Sequence, residues 1–543
     1  MKIYHKFLLY QNKLLKPYVR ILLGLVEALT YLASLLLIVG VVYEHGFPLS
    51  IDEVANLQTL YKTVWIIFLI DVTLHISLEY RNTKKQYRRL AWILSGLLYL
   101  TLVPVIFHRP EEEGAILHIW EFLHGKFYHL LLLLVLSFLN LSNGLVRLLG
   151  RRTNPSLILA VSFMAIILIG AGLLMLPRCT VNGITWVDSL FTATSAVCVT
   201  GLVPVDVSTT FTTSGLVVII LLIQIGGLGV MTLTSFFAMF FMGNTSIYNQ
   251  LVVRDMVSSN SLGSLLSTLL YILGFTLVIE GIGMVSIWFS IHGTLGMTLE
   301  GELGFAAFHS ISAFCNAGFD LMGRYSPFSS ITRFYNDPVV ILTISALILI
   351  GGIGFFVWND LREHGLHCRH YALQTKMVLS ATAVCLFGGT LLFYLFEHNR
   401  LFAGMSFGEQ LLNSFFCTVT PRTAGFNAVD NGALSESSKF LSIVFMFIGG
   451  APGSTAGGVK VTTIFVLLLS VRSTLTRTTG TNIFGRRLEE SVITKSVVVL
   501  MFQLTLALSA TLAITAISGY PVIDVAFEAF SALDTVGMST GIT

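Results

Sequence analysis

Charged residues are scarce in this chain of 543 residues. Asp, Glu, Lys and Arg together make up 11% of it, whereas soluble domains carry roughly 25%. Hydrophobic residues make up 54%, and the mean hydropathy is +0.81. This composition excludes a soluble enzyme, a disordered chain and a nucleic-acid-binding protein, and it predicts an all-α polytopic membrane protein.

Signatures of metal, redox and catalytic sites are also missing. The six cysteines include no C-x-x-C pair, so they indicate neither a structural zinc site nor a redox couple. The sequence contains no H-E-x-x-H pair, no nucleophile elbow and no phosphate-binding loop. We therefore expect no cofactor in this chain, and a polytopic membrane enzyme stays only as an alternative.

Long apolar runs dominate the sequence, and each is close to the ~20 residues that a membrane helix needs. They cover residues 21–43, 62–79, 90–107, 127–149, 156–176, 214–241, 265–291, 338–358, 375–396, 439–470 and 494–517. Basic residues are concentrated in alternate loops, and acidic residues occupy the loops between them. By the positive-inside rule, the N-terminus is cytoplasmic, and four spans return the chain to the cytoplasm before residue 156.

Four short segments rich in Ser, Thr and Gly resemble one another. They run from Phe191 to Gly201, from Phe308 to Gly318, from Phe415 to Gly425 and from Phe530 to Gly541. Their glycines lie 117, 107 and 116 residues apart. Each segment follows a long apolar run, and the first three also precede one, which predicts units of helix, re-entrant segment and helix. Such units, repeated around an axis along the membrane normal, enclose a central path.

Each of these segments begins with some ten residues that favour a short helix. Carboxylates stand near the four starts, at Asp188, Glu302, Glu409 and Asp524. The run from Ser406 to Glu409 has the pattern of a capping box. An acid offsets the positive end of the helix dipole, so the negative ends point inward and favour a cation at the centre.

The glycine that ends each segment predicts an unusual backbone. Glycine adopts positive φ without steric cost, so successive carbonyls can turn to one side. Extended backbone at membrane depth is tolerated only inside protein or along a water path, and rings of carbonyls can replace the hydration shell of K⁺. The alternative is that these glycines only allow close helix packing, but four in the same context at similar spacing favour a pore.

Three further motifs accompany these segments. They are QIGGLGVMTL from Gln224, IGGIGFFVWNDL from Ile350 and GGAPGSTAGGVK from Gly449 to Lys460. With the four glycine segments, they resemble the Trk/Ktr/HKT superfamily of potassium uptake proteins, in particular the bacterial TrkH/KtrB membrane subunit, over residues 156–543. The resemblance implies a pseudo-tetramer of helix–pore loop–helix repeats around a central K⁺ pore.

The resemblance also implies a selectivity filter to which each repeat gives one glycine. The implied K⁺-binding residues are Thr200, Gly201, Ala317, Gly318, Ala424, Gly425, Thr540 and Gly541. Members with serine at the first position tend to admit Na⁺, so glycine at all four positions implies a preference for K⁺. A Na⁺ or non-selective cation transporter stays as an alternative, as does a non-conducting sensory subunit.

Location and partners follow from the same resemblance. It implies a multi-pass protein of the bacterial cytoplasmic (inner) membrane that forms a homodimer in the lipid bilayer. It also implies a separate cytoplasmic ring of nucleotide-binding regulatory subunits. K⁺ is then the transported ion, and no nucleic acid is involved. Coupling to H⁺ or Na⁺ is not encoded in any motif that we find.

The run 439–470 predicts a broken helix. One proline and five glycines occupy positions 449–458, and such a stretch cannot hold a straight helix. The resemblance implies a mobile intramembrane gate, and a kinked packing helix is the alternative. The predicted gate residues are Gly449, Gly450, Pro452, Gly453, Ser454, Gly457, Gly458 and Lys460. Lys460 is either part of this gate or a lysine that snorkels to the interface.

Three single charged residues stand at informative places. Arg422 lies three residues before Gly425, where we expect it to support the filter by hydrogen bonds to carbonyls or to a nearby acid. Asp320 is either an acid of the outer mouth that attracts cations or an ordinary solvated loop acid. Glu280 lies within an apolar run, where it has either a functional role or a bond to a neighbouring helix.

The sequence divides into five predicted regions. Residues 1–152 form an N-terminal extension with about four spans, followed by pore repeats at 153–255, 256–370, 371–487 and 488–543. The extension lacks the arginine ladder of a voltage sensor. Asp71, His75 and Glu79 share one helical face, which favours a polar interfacial surface over metal or proton binding. The role of the extension is not predicted.

The fourth repeat has no second apolar run after its segment. We therefore expect the protein to continue past Thr543 for about 50–70 residues, with one further span. The resemblance implies that this span carries a Lys or Arg facing the pore. Without it, one side of the path would be open to lipid, so we expect the 543-residue form not to transport.

Overall fold

A computed structural model describes most of the chain. The described residues are 2–86, 89–106, 115–149, 155–229, 265–365, 367–477 and 482–542 except 484, 485 and 489. The chain divides into two compact units. The first comprises Met1–Ala160 and Met231–Leu269, and the second comprises Val161–Val230 and Leu270–Thr543.

The first unit is a bundle of apolar helices. Its helices are α1 (Lys2–Gly46), α2 (Ile51–Gln86), α3 (Arg89–Leu100), α4 (Val103–Ile106), α5 (Ala115–His124) and α6 (Lys126–Leu149). Buried side chains of α1, α2, α3 and α6 form one core, with Leu37 and Leu98 fully buried. Asp71 and His75 are one turn apart, with 3.2 Å between His75 Nδ1 and Asp71 Oδ1. The side chain of Glu79 lies outside the described part of the chain.

The second unit contains the four glycine segments. Its helices are α7 (Pro155–Leu174), α8 (Trp186–Val197), α9 (Val207–Thr210), α10 (Thr213–Gly227), α11 (Leu265–Ile291), α12 (Leu299–Phe314), α13 (Pro338–Ile353), α14 (Phe355–His364), α15 (Leu373–Glu397), α16 (Phe407–Val419), α17 (Glu436–Phe447), α18 (Val461–Leu475), α19 (Glu490–Ser518) and α20 (Val522–Leu533). A two-residue hairpin, β1 (Asn482–Ile483) with β2 (Arg486–Arg487), follows α18.

The predicted all-α polytopic membrane fold is confirmed. Among the described residues, five helices are long and apolar enough to cross a membrane, or six if α13 and α14 are counted as one bent span. Shorter apolar helices add further candidates, including Trp92–Ile106 and Lys126–Leu141 in the first unit. Most hydrophobic side chains of α1 and α19 are exposed on the protein surface, as expected for helices that face lipid.

Within the second unit, one pattern recurs. A long helix leads to a short helix that ends at a glycine segment, and an inner helix returns. The short helices are α8, α12, α16 and α20, which we call the pore helices, and the inner helices are α10, α13 and α17 with α18. Pore helix α20 packs against α17 and α19.

The ends of the three inner helices among the described residues share a backbone feature. α10 ends at Gly227, α13 at Ile353 and α17 at Phe447, and each end is followed by a glycine with positive φ. These glycines are Gly229 at 75°, Gly354 at 91° and Gly453 at 72°. The break predicted within 439–470 is confirmed. A continuous helix over 338–358 was the wrong prediction, because α13 and α14 meet at Gly354 with a bend of 93°.

Several predictions fall outside the described residues. The stretch 230–264 holds the end of predicted repeat 1, the start of repeat 2 and the rest of the motif that begins at Gln224. Residues 151–154 and 478–481, which carry part of the basic loops, are also outside, as is Thr543. The boundaries of the four repeats remain predictions.

Candidate ion pathway

The four pore helices begin with the acids that the sequence predicts, and three of them have a side-chain cap. The side chains of Thr185, Thr298 and Ser406 each accept a hydrogen bond from a backbone N–H of the first turn. The capping box of Ser406 and Glu409 is confirmed. The first turns contain Asp188, Glu302, Glu409 and Asp524. These acids oppose the positive helix ends and leave the negative ends at the glycine segments.

Each segment then enters the left-handed region of the backbone two residues before its ring glycine. The non-glycine residues with positive φ are Val199 at 58°, Asn316 at 60°, Thr423 at 65° and Thr535 at 55°. In the first three segments, a glycine follows two residues later, at Gly201, Gly318 and Gly425. In the fourth, the same offset from Thr535 leads to Gly537. This conformation is costly for a side-chain-bearing residue, so its repetition marks a shared geometry.

Four glycines form a closed ring. Each is placed so that a Cβ would come within 3.0 Å of the carbonyl oxygen preceding the next glycine. In ring order, the pairs are Gly201 with Ala317, Gly318 with Ala424, Gly425 with Val536, and Gly537 with Thr200. The φ angles of these glycines are 90°, 70°, 82° and 92°. Only glycine fits at such positions, since both the left-handed backbone and the facing carbonyls exclude a side chain.

The fourth ring position corrects the sequence prediction. We expected Thr540 and Gly541 there, but Val536 and Gly537 close the ring. A Cβ at Gly541 would have no neighbouring atom within 4 Å, so no facing backbone demands a glycine at that position. Gly537 lies 112 residues after Gly425. The error arose because Thr540-Gly541 repeats the Thr-Gly pair of the first segment, whereas Val536-Gly537 does not.

A serine six residues before the ring glycine could have identified Gly537 as the fourth ring position. Gly201 N donates to Ser195 Oγ at 3.0 Å, and Gly537 N donates to Ser531 Oγ at 3.1 Å. Ser312, six residues before Gly318, donates to a carbonyl beyond the ring at 2.8 Å. These serines lie at the ends of three pore helices and bind the segments to them. The third segment uses Thr420 instead, one position later.

A vestibule opens on one side of the ring. It is a cavity of about 570 Å³ lined by all four ring glycines and by residues that follow them in the chain. Thr540 and Gly541 belong to its wall, together with Asp320, Asp430 and the amides of Asn427 and Asn431. Ions that reach the ring from this side therefore pass acids and carbonyl-type oxygens.

Asp320 has an unusual electrostatic environment in the vestibule. The pKa of its carboxyl is raised to about 6, chiefly by burial and also by the charge of Asp206, while hydrogen bonds from Met322 N and from the Ser330 side chain oppose the shift. The hydrogen bond from Met322 N to Asp320 Oδ1 measures 2.9 Å. Of the two readings of Asp320, the structure thus favours an acid of the mouth over an ordinary solvated loop acid.

The opposite side of the ring is covered by residues 448–460, the loop between α17 and α18 that contains the predicted gate residues. Two hydrogen bonds join the two ends of this loop. Gly449 N donates to Val459 O and Val461 N donates to Gly450 O, both at 3.0 Å. Lys460 Nζ donates to Ala456 O at 2.6 Å. Lys460 therefore binds within the loop itself rather than extending to the interface, which contradicts the snorkelling alternative.

This loop spans two opposite quadrants of the ring. On one side Thr455 Oγ1 donates to Phe314 O at 3.2 Å, and Ala451 N donates to Gly352 O at 2.9 Å. On the other side Gly457 lies against Asp534 and Thr535, where a Cβ would meet both residues. The second and fourth segments are therefore joined by the loop, directly beneath the residues that precede their ring glycines.

Known proteins are similar to this chain in sequence and in fold. The family described as TrkH, a cation transport protein, matches residues 147–543. The chain belongs to the TrkH family. Its relatives include a potassium/sodium uptake protein NtpJ of Enterococcus hirae, 35% identical over 72% of this chain and 87% of the relative. Another is a Ktr system potassium uptake protein B of Bacillus subtilis, 35% identical with the same shares covered.

The fold has a solved counterpart as well. The crystal structure of the potassium transporter TrkH from Vibrio parahaemolyticus aligns with a TM-score of 0.59 and 18% identity. The alignment covers 85% of this chain and 90% of that one. Since the TrkH family consists of cation transport proteins, the enzyme alternative is wrong.

Arg422 of this TrkH-family chain lies behind the ring. Its side chain is 6% exposed, and Arg422 Nη2 donates to Thr382 Oγ1 of α15 at 3.4 Å. We expected carbonyl or carboxylate partners, so the hydroxyl of Thr382 corrects that part of the prediction. Support of the third segment by Arg422 remains a prediction.

Two further buried residues bind the chain just after the ring glycines, and the sequence did not predict either of them. His309 and Glu528 each lie nine residues before a ring glycine. His309 Nε2 accepts from Leu321 N at 3.3 Å, and Glu528 Oε1 accepts from Thr540 N at 2.8 Å. In both cases, the donor lies three residues after the ring glycine. The equal spacing of these two residues from a ring glycine is present in the sequence. Because histidine and glutamate differ in type, their equivalence can be recognised only when the ring glycines are known.

Proposed function

We propose that this protein takes up potassium ions across a membrane through the ring of Gly201, Gly318, Gly425 and Gly537. The observation that carries the proposal is the closed ring of left-handed glycines between a vestibule and a broken inner helix. The relatives named as potassium uptake proteins support the choice of ion. K⁺ is the transported cargo, and no resident cofactor is needed for such a role.

Ion binding in this proposal comes from backbone carbonyls. The binding residues are the ring glycines and the residues before them, Thr200, Ala317, Ala424 and Val536. Carbonyl oxygens replace the hydration shell of K⁺. The C-terminal ends of the four pore helices lie next to the ring and add negative potential. Thr540 and Gly541, which we first placed in the filter, become vestibule residues.

Sodium is the second candidate ion. The relative from Enterococcus hirae is named for both potassium and sodium. Glycine at all four ring positions favours K⁺ in our reading, because serine at the first position would point to Na⁺. A comparison of K⁺ and Na⁺ influx at equal concentrations decides between a selective and a dual transporter.

The loop 448–460 acts as the gate in this proposal. It contacts the second and fourth segments from the side opposite the vestibule. Glycine and proline make up much of it, so few side chains fix its conformation. Movement of the loop would open the path beneath the ring, and Lys460 would hold its closed form through Ala456.

We further propose the topology and assembly of the protein. The loop charges support a cytoplasmic N-terminus with the vestibule outside, and the family resemblance supports a bacterial inner membrane. A homodimer and a cytoplasmic ring of nucleotide-binding subunits are proposed from the family resemblance alone.

Growth of a host that lacks its own K⁺ uptake tests the function. We expect the full-length protein to restore growth at low K⁺, and we expect Gly318→Ser in that protein to reduce the rescue although the variant is inserted normally. A failure to restore growth, with the protein present in the membrane, would favour a non-conducting sensory subunit. Rescue equal to the parent in the variant would remove Gly318 from the filter.

A further inference from the structure

A carboxylic acid lies buried behind the second filter segment. Glu280 is near the middle of α11, and its side chain is 6% exposed. Among the described residues, no lysine or arginine forms an ion pair with it. Burying such a group at membrane depth is costly unless hydrogen bonds satisfy it. The partners that satisfy Glu280 therefore indicate what it does.

Both carboxyl oxygens of Glu280 have a donor. Gln224 Nε2 donates to Oε2 at 3.3 Å, and Cys315 Sγ donates to Oε1 at 3.9 Å. Cys315 Sγ also lies 3.8 Å from Gln224 Oε1, so the three side chains form one closed cluster. In addition, Ser310 Oγ donates to the backbone carbonyl of Glu280 at 2.7 Å.

The cluster joins three elements that meet at the second filter segment. Gln224 belongs to the first inner helix, α10, three residues before its last residue, Gly227. Cys315 is the C-cap of pore helix α12 and lies three residues before Gly318. A Cβ at Gly227 would come within 3.0 Å of Cys315 Sγ, so the broken end of that inner helix packs directly on Cys315.

The position of Cys315 sets the conformation of the residues that follow. Asn316 takes φ of 60°, and Ala317 presents its carbonyl to Gly201 in the ring. A shift of Cys315 is therefore transmitted over two residues to a carbonyl of the filter. Selectivity among ions depends on the placement and number of such carbonyls.

We propose that Glu280 is a positioning residue that, through Cys315, fixes the second filter segment and so contributes to the preference for K⁺ over Na⁺. This inference rests on the proposed function. A residue that only linked helices would affect stability and the amount of inserted protein. It would not affect the ratio of K⁺ to Na⁺ influx, and this distinguishes the two roles.

Three variants test the inference in proteoliposomes that contain the purified protein. Glu280→Gln leaves Gln224 and Cys315 to compete for one oxygen, and Cys315→Ala removes the thiol donor. We expect each to lower the K⁺-to-Na⁺ influx ratio about threefold to tenfold, the size of one lost hydrogen bond. The double variant Gln224→Glu, Glu280→Gln restores the hydrogen bond between the two positions with donor and acceptor interchanged. We expect it to recover most of the K⁺-to-Na⁺ influx ratio.

Glu363→Gln, an exposed acid of α14, is the control and should keep the parental ratio. A parental ratio in both Glu280→Gln and Cys315→Ala would overturn the inference, even if their melting temperatures fall. If Glu280→Gln does not insert, Cys315→Ala decides by the same criterion. A double variant that stays as unselective as Glu280→Gln would also overturn it. A parent protein without selective K⁺ influx would instead contradict the proposed function.

Discussion

At the residue scale, a ring glycine acts through the space that its missing side chain leaves. Gly201, Gly318, Gly425 and Gly537 all adopt positive φ, and each faces a carbonyl that a Cβ would displace. Gly541 also adopts positive φ, at 100°, but no atom occupies the space of its absent Cβ. Two glycines four residues apart therefore differ in what a substitution would disturb.

This difference gives a matched pair of variants. We expect Gly537→Ser to lower the K⁺-to-Na⁺ influx ratio about tenfold, because a loss of ~1.4 kcal/mol in ion coordination corresponds to that factor. Gly541→Ser should stay within about twofold of the parent, since it meets only the cost of a left-handed backbone. Influx of both ions into proteoliposomes measures the ratio. A larger effect of Gly541→Ser than of Gly537→Ser would instead support Gly541 as the filter residue.

Asp320 predicts a pH dependence of uptake. Its pKa is raised to about 6 by burial and by Asp206, so the carboxyl is charged above pH 6 and neutral below it. We expect K⁺ uptake at low K⁺ to fall as the pH drops from 7.5 to 5, because the vestibule loses negative charge. Asp320→Asn should abolish this step and resemble the parent at low pH. An unchanged pH profile in the variant would show that another group titrates.

The left-handed residues show what the sequence could and could not predict at this scale. Glycines recurring at similar spacing predicted three of the four ring positions. The fourth prediction was wrong because Thr540-Gly541 repeats the Thr-Gly pair of the first segment. That local match was given more weight than the distance from the pore helix. Positive φ at Thr535 is unusual for a threonine, so neither propensity nor composition could reveal it.

At the scale of elements, the second and third inner helices are interrupted by glycines beneath the ring. The second inner helix bends at Gly354, where Phe355 N donates to Gly453 O of the loop at 3.1 Å. Glycine and proline content predicted the break in the third inner helix. The bend at Gly354 could not be predicted from an apolar run, because its partner lies about a hundred residues later in the chain.

The loop provides the prediction for this scale. Deletion of residues 451–456 should raise K⁺ influx, because it removes the contacts that cover the ring and leaves the helices in place. Thr455→Val should raise influx less, since it removes only the contacts of the Thr455 hydroxyl with Phe314 O and Asn316 Oδ1. Thr474→Val, an exposed residue of α18, should match the parent. Influx is compared at equal amounts of inserted protein, and equal or lower influx in the deletion would count against a gate.

At the scale of the whole molecule, the charges of the loops predict how the chain lies in the membrane. Apolar runs were sufficient to predict a polytopic helical fold, because the hydrophobic length of a span is a local property. The ring was harder to predict, since it requires four segments separated by more than a hundred residues each to meet. Only the internal repetition made that inference accessible from sequence.

Cys368 offers a direct test of orientation. It is the exposed cysteine among six, and it lies with Arg369 in the loop between α14 and α15, which we place in the cytoplasm. A membrane-impermeant maleimide should label inside-out vesicles and leave right-side-out vesicles unlabelled. Cys368→Ser should remove the signal. Labelling from the outer face would invert the proposed topology.

The central claim is that the four-glycine ring passes K⁺ selectively, and ion influx under an imposed membrane potential tests it most directly. Proteoliposomes that contain the parent protein are compared with those that contain Gly425→Ser, a variant of a ring position shared by the sequence prediction and the structure. We predict K⁺ influx well above Na⁺ influx in the parent and a clear loss of that preference in the variant. Equal K⁺ preference in both proteins would contradict the claim.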